Sequence, residues 1–303
     1  MTTTHDPADR LTRFLLPHAG VRGVHVYLGD TWRQVQGRSE HASYAPAIAE
    51  LLGEACASAA LFTGHAKVQG RLSIQLRGSG SLRTLFAECT AAGTLRGIAR
   101  TADGESGVPR DLRALGDDAL LAVTIENPAK GDREPMRYQG MVPIERESLS
   151  GAFEDYFERS EQLPTRLLLA SGADVAAGLM LQKLPGDSGD TDGWNRASIL
   201  FDTATPGELL DLPSGTLLHR LFHEEGVQVL GDRPLAFACS CSRERVEAVL
   251  ESLGIDEASA ALVDGRAEVQ CEFCGQRYLF DATQIDALFT ASGLQSPMPD
   301  RVQ

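Results

Sequence analysis

Four of the six cysteines in this chain of 303 residues, Cys239, Cys241, Cys271 and Cys274, form C-x-C, a spacer of 29 residues, then C-x-x-C. Two close thiol pairs on either side of a spacer suit a tetrahedral Zn²⁺ site, where thiolates bind at about 2.3 Å. The second pair, CEFCG, has the form of a tight turn whose backbone N–H groups can bond the sulfurs, and Gly275 can take the positive φ such a turn wants. C-x-C is less usual. In an extended strand its two side chains share a face about 6.5–7 Å apart, so the backbone must bend at Ser240 to bring the sulfurs to roughly 4 Å.

Two readings of these thiols stand open on spacing alone. One is a zinc ribbon that only holds a small domain together. The other is a redox switch, because thiolate clusters oxidise readily and both pairs can reach the Cα separations of a disulfide. A unit of about 70 residues depends on its metal either way, since structural zinc contributes on the order of 10–16 kcal/mol, more than such a core usually supplies. Cys56 and Cys89 sit in apolar stretches without partners at ligand spacing and are expected in the core.

Other motifs carry less chemistry. His219 and His223 stand at i and i+4 in LLHRLFHEE, a spacing that can hold a metal, but Arg220 occupies the place where a zinc protease needs glutamate. An interfacial helix face is the expectation there. GSGSL (78–82) reads as a hairpin turn, and the chain has no phosphate loop, no dinucleotide fingerprint and no G-x-S-x-G elbow.

The elements that position these residues follow from pattern. VRGVHVYLG (21–29), VQGRLSIQLRG (68–78), LRTLFAECT (82–90), LLAVTIENP (120–128) and MRYQGMVPI (136–144) are strand-like runs between turn signals. PAIAELLGEACASAALFTG (46–64) and SLSGAFEDYFERSEQ (148–162) read as helices, the second capped by its first serine and carrying Phe153, Tyr156 and Phe157 on one face. The turn-forming, acidic stretch PGDSGDTDG (185–193) marks a domain edge, and residues 194–226 read as helices with an apolar stripe of Leu217, Leu218, Leu221 and Phe222 that must be covered.

From 232 onward the pattern gives a helix ending at Gly254 with Val246, Val249, Leu250 and Leu253 on one face. A short helix from Asp256, a strand pair around CEFCGQRYLF and a helix capped by Asp281 follow. The expected fold class is α+β: an N-terminal mixed sheet with packed helices (1–184), a loop and helical linker (185–231), and a small four-cysteine zinc-binding domain (232–303).

Composition narrows the function. The chain is 43% hydrophobic without an apolar run near the ~20 residues of a membrane span, and its N-terminus lacks the features of a secretory signal. A cytoplasmic protein with no membrane partner is expected, and in that compartment clustered cysteines bind metal or do redox work. Net charge is −14 with lysine only at Lys67, Lys130 and Lys183, which disfavours a nucleic-acid partner.

Taken together, YFERSEQLPT (156–165), GLMLQKLPG (178–186), LLHRLFHEE (217–225), CSCSRERVEAVLESLG (239–254) and CEFCGQRYLFD (271–281) resemble the bacterial redox-regulated holdase chaperones, the thirty-three-kilodalton heat-shock chaperonin family. The last three stretches are the specific ones, and the N-terminal likeness is looser. The resemblance implies a chaperone, not an enzyme. Its reduced form holds one Zn²⁺ per chain on Cys239, Cys241, Cys271 and Cys274 and is inactive. Oxidants helped by heat form Cys239–Cys241 and Cys271–Cys274 disulfides, release the zinc and destabilise the C-terminal unit and linker. The opened protein, expected as a homodimer, then binds unfolding client proteins without ATP and prevents their aggregation.

Two other classes are weighed against this. A zinc ribbon that binds nucleic acid or the ribosome conflicts with the acidic balance of residues 232–303, 12 Asp or Glu against 6 Arg and no Lys. A thiol–disulfide oxidoreductase using Cys271 and Cys274 would set C-x-x-C at a helix N-terminus, whereas the flanks here read as strands.

Overall fold

The structure is a computed structural model. It describes residues 9–37, 44–66, 68–102, 107–129, 134–186 and 189–292, so residues 187 and 188 of the expected 185–193 loop lie outside it. The chain divides into two compact units, one ending at Ala238 and one beginning at Cys239.

The first unit holds two sheets. One has β1 (Arg10–Leu16), β2 (Val21–Leu28), β8 (Thr165–Ser171), β9 (Ala176–Lys183) and β10 (Gln228–Pro234) in the order β10-β1-β2-β9-β8, all antiparallel. The other has β3 (Arg71–Arg77), β4 (Leu82–Thr90), β5 (Thr94–Thr101), β6 (Leu120–Asn127), β7 (Met136–Val142) and the short β11 (Ala236–Phe237) in the order β11-β5-β4-β3-β6-β7. This second sheet is mixed, because β11 runs parallel to β5 while its other neighbours are antiparallel. A single sheet is what alternation in the sequence suggests. Of the five-stranded sheet the sequence pattern shows β2, and it misses β9, which is buried on both faces over seven of its eight residues and so reads as a continuous apolar run.

Between the sheets lies α2 (Pro46–His65), preceded by α1 (Asp30–Gln36). Leu51 to Thr63 are all buried, and the small side chains of Cys56, Ala57, Ala59 and Ala60 let both sheets approach. Gly53 shows how close: a Cβ there would lie 2.1 Å from Ser171 Oγ. At 20 residues this helix is long and apolar enough to cross a membrane, contrary to the reading of the sequence, but most of it is buried in the core. The C-terminal turn of α2 meets α3 (Leu149–Tyr156), which Ser148 caps through the Gly151 N–H, and Phe62 packs edge-on against Phe153 and Phe157.

The other face of the five-stranded sheet is covered by α4 (Gly193–Phe201), α5 (Pro206–Asp211) and α6 (Ser214–Phe222). The stripe Leu217, Leu218, Leu221 and Phe222 is buried there with Phe14, Leu16, Val21 and Leu181, and the Phe14 and Phe222 rings stack at 6.2 Å. Backbone approach is tight, since a Cβ on Gly193 would fall 2.5 Å from Ala19 Cα. Arg196 ties α4 to the residues after α6 by a bidentate pair with the buried Glu225 carboxylate at 2.8 and 2.9 Å, and it also bonds Asp190.

His25 on β2 is enclosed beneath α6. Its Nδ1 shares a hydrogen bond of 2.7 Å with Ser214 Oγ, and its Nε2 has no partner. Burial pulls its pKa down to about 4. The unfolded histidine, near pH 6.5, takes a proton first. Stability is therefore full above that pH, falls as pH drops towards 4, and levels off below, a loss of about 3 kcal/mol. His65 is pulled down to about 3, first by burial and then by the neighbouring Arg22 guanidinium, and adds to the same slope. Thermal melts from pH 7.5 to 4.5 should show the fall, and a His25→Gln variant should keep only the His65 share; a variant with an unchanged slope would refute it.

The second unit contains α7 (Arg243–Leu253), α8 (Ile255–Ala260), a hairpin of β12 (Arg266–Gln270) and β13 (Arg277–Asp281), and α9 (Ala282–Ser292). Gly254 ends α7 at φ +93°, and Asp281 caps α9, accepting from Gln284 N at 2.8 Å. The core is five buried residues, Leu250, Ala258, Ala267, Phe280 and Ile285. Of the apolar face read on α7 only Leu250 is buried, while Val249 and Leu253 are 56% and 54% exposed. A unit this small has too few elements to cover the whole stripe.

Candidate metal centre

The C-x-C pair sits between β11 and α7, and C-x-x-C forms the loop of the β12–β13 hairpin. In that loop Gly275 N–H donates to Cys271 O at 2.7 Å, and Cys271 N–H donates to Gln276 O at 2.9 Å. Gly275 has φ +66°, the left-handed conformation that glycine adopts without a Cβ penalty. On the other side Arg245 Nη1 donates to Ser240 O at 2.6 Å and Ser242 Oγ accepts from Arg245 N–H. The helix start thereby holds the backbone of the C-x-C segment.

These supports bring Cys239, Cys241, Cys271 and Cys274 together, with all four sulfurs within 4.8 Å of one another. Two of the separations cross the motifs: Cys239 to Cys271 at 3.6 Å and Cys241 to Cys274 at 3.3 Å. A tetrahedron of sulfurs about 2.3 Å from a metal has edges of about 3.8 Å, so the arrangement is close to coordination size. None of the six cysteines is joined in a disulfide.

Electrostatics sets the order in which the thiols ionise. Burial opposes the Cys241 thiolate, but hydrogen bonds from the Tyr278 hydroxyl, at 3.2 Å, and from the other three cysteines outweigh it and lower its pKa to about 7. Burial raises the Cys239 and Cys274 thiols. Four thiolates this close repel one another, and a bound dication is what would let all four stay ionised. The all-sulfur donor set fits a soft or borderline cation and is unsuited to Mg²⁺ or Ca²⁺.

Cys56 and Cys89 are buried in the core of the first unit, and burial pushes both thiols up, Cys89 to about 12. His219 and His223 are exposed rather than interfacial, because the face of α6 that packs is the leucine stripe. Among the described residues the four cysteines are the one group of three or more potential ligands gathered at metal-binding distance. Tyr278, Ser242 and Arg245 escape a sequence reading, since their contacts to Cys241 and Ser240 depend on how the hairpin and the helix meet.

Residues 9–281 match the family described as Hsp33 protein. The chain belongs to the Hsp33 family. It is 41% identical over 300 residues to a 33 kDa chaperonin of Ectopseudomonas mendocina, covering 97% of this chain and 99% of that one. To a 33 kDa chaperonin of Hahella chejuensis it is 42% identical over 291 residues, 95% and 99% of the two chains. The crystal structure of the 33 kDa chaperonin of Thermotoga maritima has the same fold, with a TM-score of 0.76 over 95% of this chain and all of that one at 20% identity. Membership of Hsp33 carries a chaperone function, and with it the binding of client proteins.

Proposed function

We propose that this Hsp33 chain is a redox-regulated, ATP-independent holdase of the cytoplasm, a binding protein and not an enzyme, with unfolding polypeptides as its partners. It takes neither nucleic acid nor membrane as a partner, and it acts as a homodimer when active. The observation that carries the reading is the cluster of four thiols within 4.8 Å in a unit whose own core is five buried residues. In this reading Cys239, Cys241, Cys271 and Cys274 hold one Zn²⁺ in the reduced, inactive state.

Zn²⁺ brings no redox chemistry of its own; when bound it neutralises the four thiolates and holds two segments together. Oxidation acts on the chain. One peroxide and two thiols give one disulfide and two waters, so two peroxides convert Cys239 with Cys241 and Cys271 with Cys274. This pairing within each motif comes from the family resemblance, and peptide mapping of the oxidised protein distinguishes it from pairing across the motifs. With its ligands consumed the second unit loses the binding energy that folds it. Opening of α4, α5 and α6 would then bare Leu217, Leu218, Leu221 and Phe222 and the sheet face beneath them, the kind of apolar patch that binds unfolded chains.

Light scattering of a chemically denatured client tests the proposal, comparing reduced, zinc-loaded protein with protein oxidised by peroxide at mild heat. Suppression of aggregation by the oxidised form alone is expected. Equal failure of both forms would overturn it.

A further inference from the structure

We propose that His219 and His223 form a second metal site, for one borderline divalent cation such as Ni²⁺ or Zn²⁺, separate from the four cysteines. The two imidazoles lie one turn apart at the end of α6, both exposed, with ring centres 5.3 Å apart and planes 20° from parallel. A metal bonded at about 2.0–2.1 Å to a ring nitrogen lies about 3.2 Å from that ring's centre. Ring centres at the observed separation then subtend about 110° at a shared metal, close to the tetrahedral angle. Nearly parallel planes cannot both contain one metal, so binding requires the exposed His219 side chain to turn towards His223 Nε2.

The tautomer is also set for coordination. His223 Nδ1 lies 3.1 Å from the carbonyl oxygen of His219, which can only accept, so Nδ1 carries the proton and Nε2 keeps its lone pair. An outer N–H bound to a backbone carbonyl is the usual support of a metal-ligating histidine. Glu224 offers a third ligand, since its Oε1 is 3.9 Å from His223 Nε2 and its side chain is 84% exposed and free to swing in. Arg220, the cation between the two histidines in sequence, is turned away to pair with Glu208 at 2.8 Å.

The site's place in the fold gives it a consequence. The opposite face of α6 is the buried stripe of Leu217, Leu218, Leu221 and Phe222, so a cation that chelates residues i and i+4 binds only while this turn is helical and stabilises it by mass action. Free divalent metal thereby holds α6 on the sheet. This coupling does not depend on the redox reading of the cysteines.

The test is calorimetric titration of NiCl₂ into the full-length, reduced, zinc-loaded protein without an affinity tag, beside His219→Ala and His223→Ala variants. Both positions are exposed, so the variants fold. We expect one Ni²⁺ per chain in a phase that each variant weakens at least tenfold, Glu224→Gln weakening it less, and Ni²⁺ raising the melting temperature of the wild type but of neither histidine variant. Titrations of the three proteins that agree within twofold, or the absence of a Ni²⁺ phase in the wild type, would overturn the site.

Discussion

Chelation of the metal from the reduced protein is expected to unfold residues 239–292 while the first unit stays folded. Without a cation the four thiols within 4.8 Å can favour a single thiolate, that of Cys241, through their hydrogen bonds, and each further ionisation is disfavoured. Metal-binding energy on the order of 10–16 kcal/mol is folding energy for a unit of this size, and the five residues of its core cannot replace it. The first unit has two sheets packed on α2 around a far larger core, on which it should stay folded. Limited proteolysis of the full chain should therefore cut beyond Ala238 within minutes once the metal is removed, leaving an intact fragment that ends near that residue. Cys271→Ser should behave like the chelated protein at any zinc concentration. Equal protease resistance with and without metal would show that the unit folds on its own core and would return the four cysteines to a role other than holding it together.

Much of this site was legible in the sequence because its signal is chemical and local. Two thiol pairs and a glycine after the second are set by spacing and need no knowledge of the fold. Tyr278 was not legible, since a tyrosine on a strand reads as a packing residue until the hairpin brings its hydroxyl to Cys241 Sγ.

In the first unit β3 is revealed by the alternation of its buried Leu72, Ile74 and Leu76 with less buried residues, whereas β5, which alternates too, is not among the strands read from the sequence. β9 lies between α2 and the helices of residues 193–222, so both its faces are apolar and the period disappears. The apolar face of α7 shows the converse. Its helical period is regular, yet Val249 and Leu253 stay exposed, because the pattern specifies which residues share a face and not whether anything covers that face.

Replacing Phe280 by alanine should weaken metal binding although no ligand is touched. Phe280 is 1% exposed, the largest side chain in the core of the second unit, and the guanidinium of Arg243 stacks over its ring at 4.3 Å. Removing a buried phenylalanine costs about 3–5 kcal/mol. In a unit whose folding and metal binding are one equilibrium, that cost is read as affinity, and every 1.4 kcal/mol is about tenfold, so zinc should bind about 10²–10⁴-fold more weakly. Competition with a chromophoric chelator on the full-length protein measures this directly. Phe280→Leu, which keeps most of the volume, should recover most of the loss, and Leu253→Ala, at a residue 54% exposed, should change affinity by no more than about twofold. An affinity for Phe280→Ala within threefold of the wild type would mean that the four thiolates set their own geometry. A loss of the expected size would mean that β13, fixed through Phe280, positions Cys271 and Cys274 for the metal, so that the stability of the small core decides how readily the cluster lets its metal go.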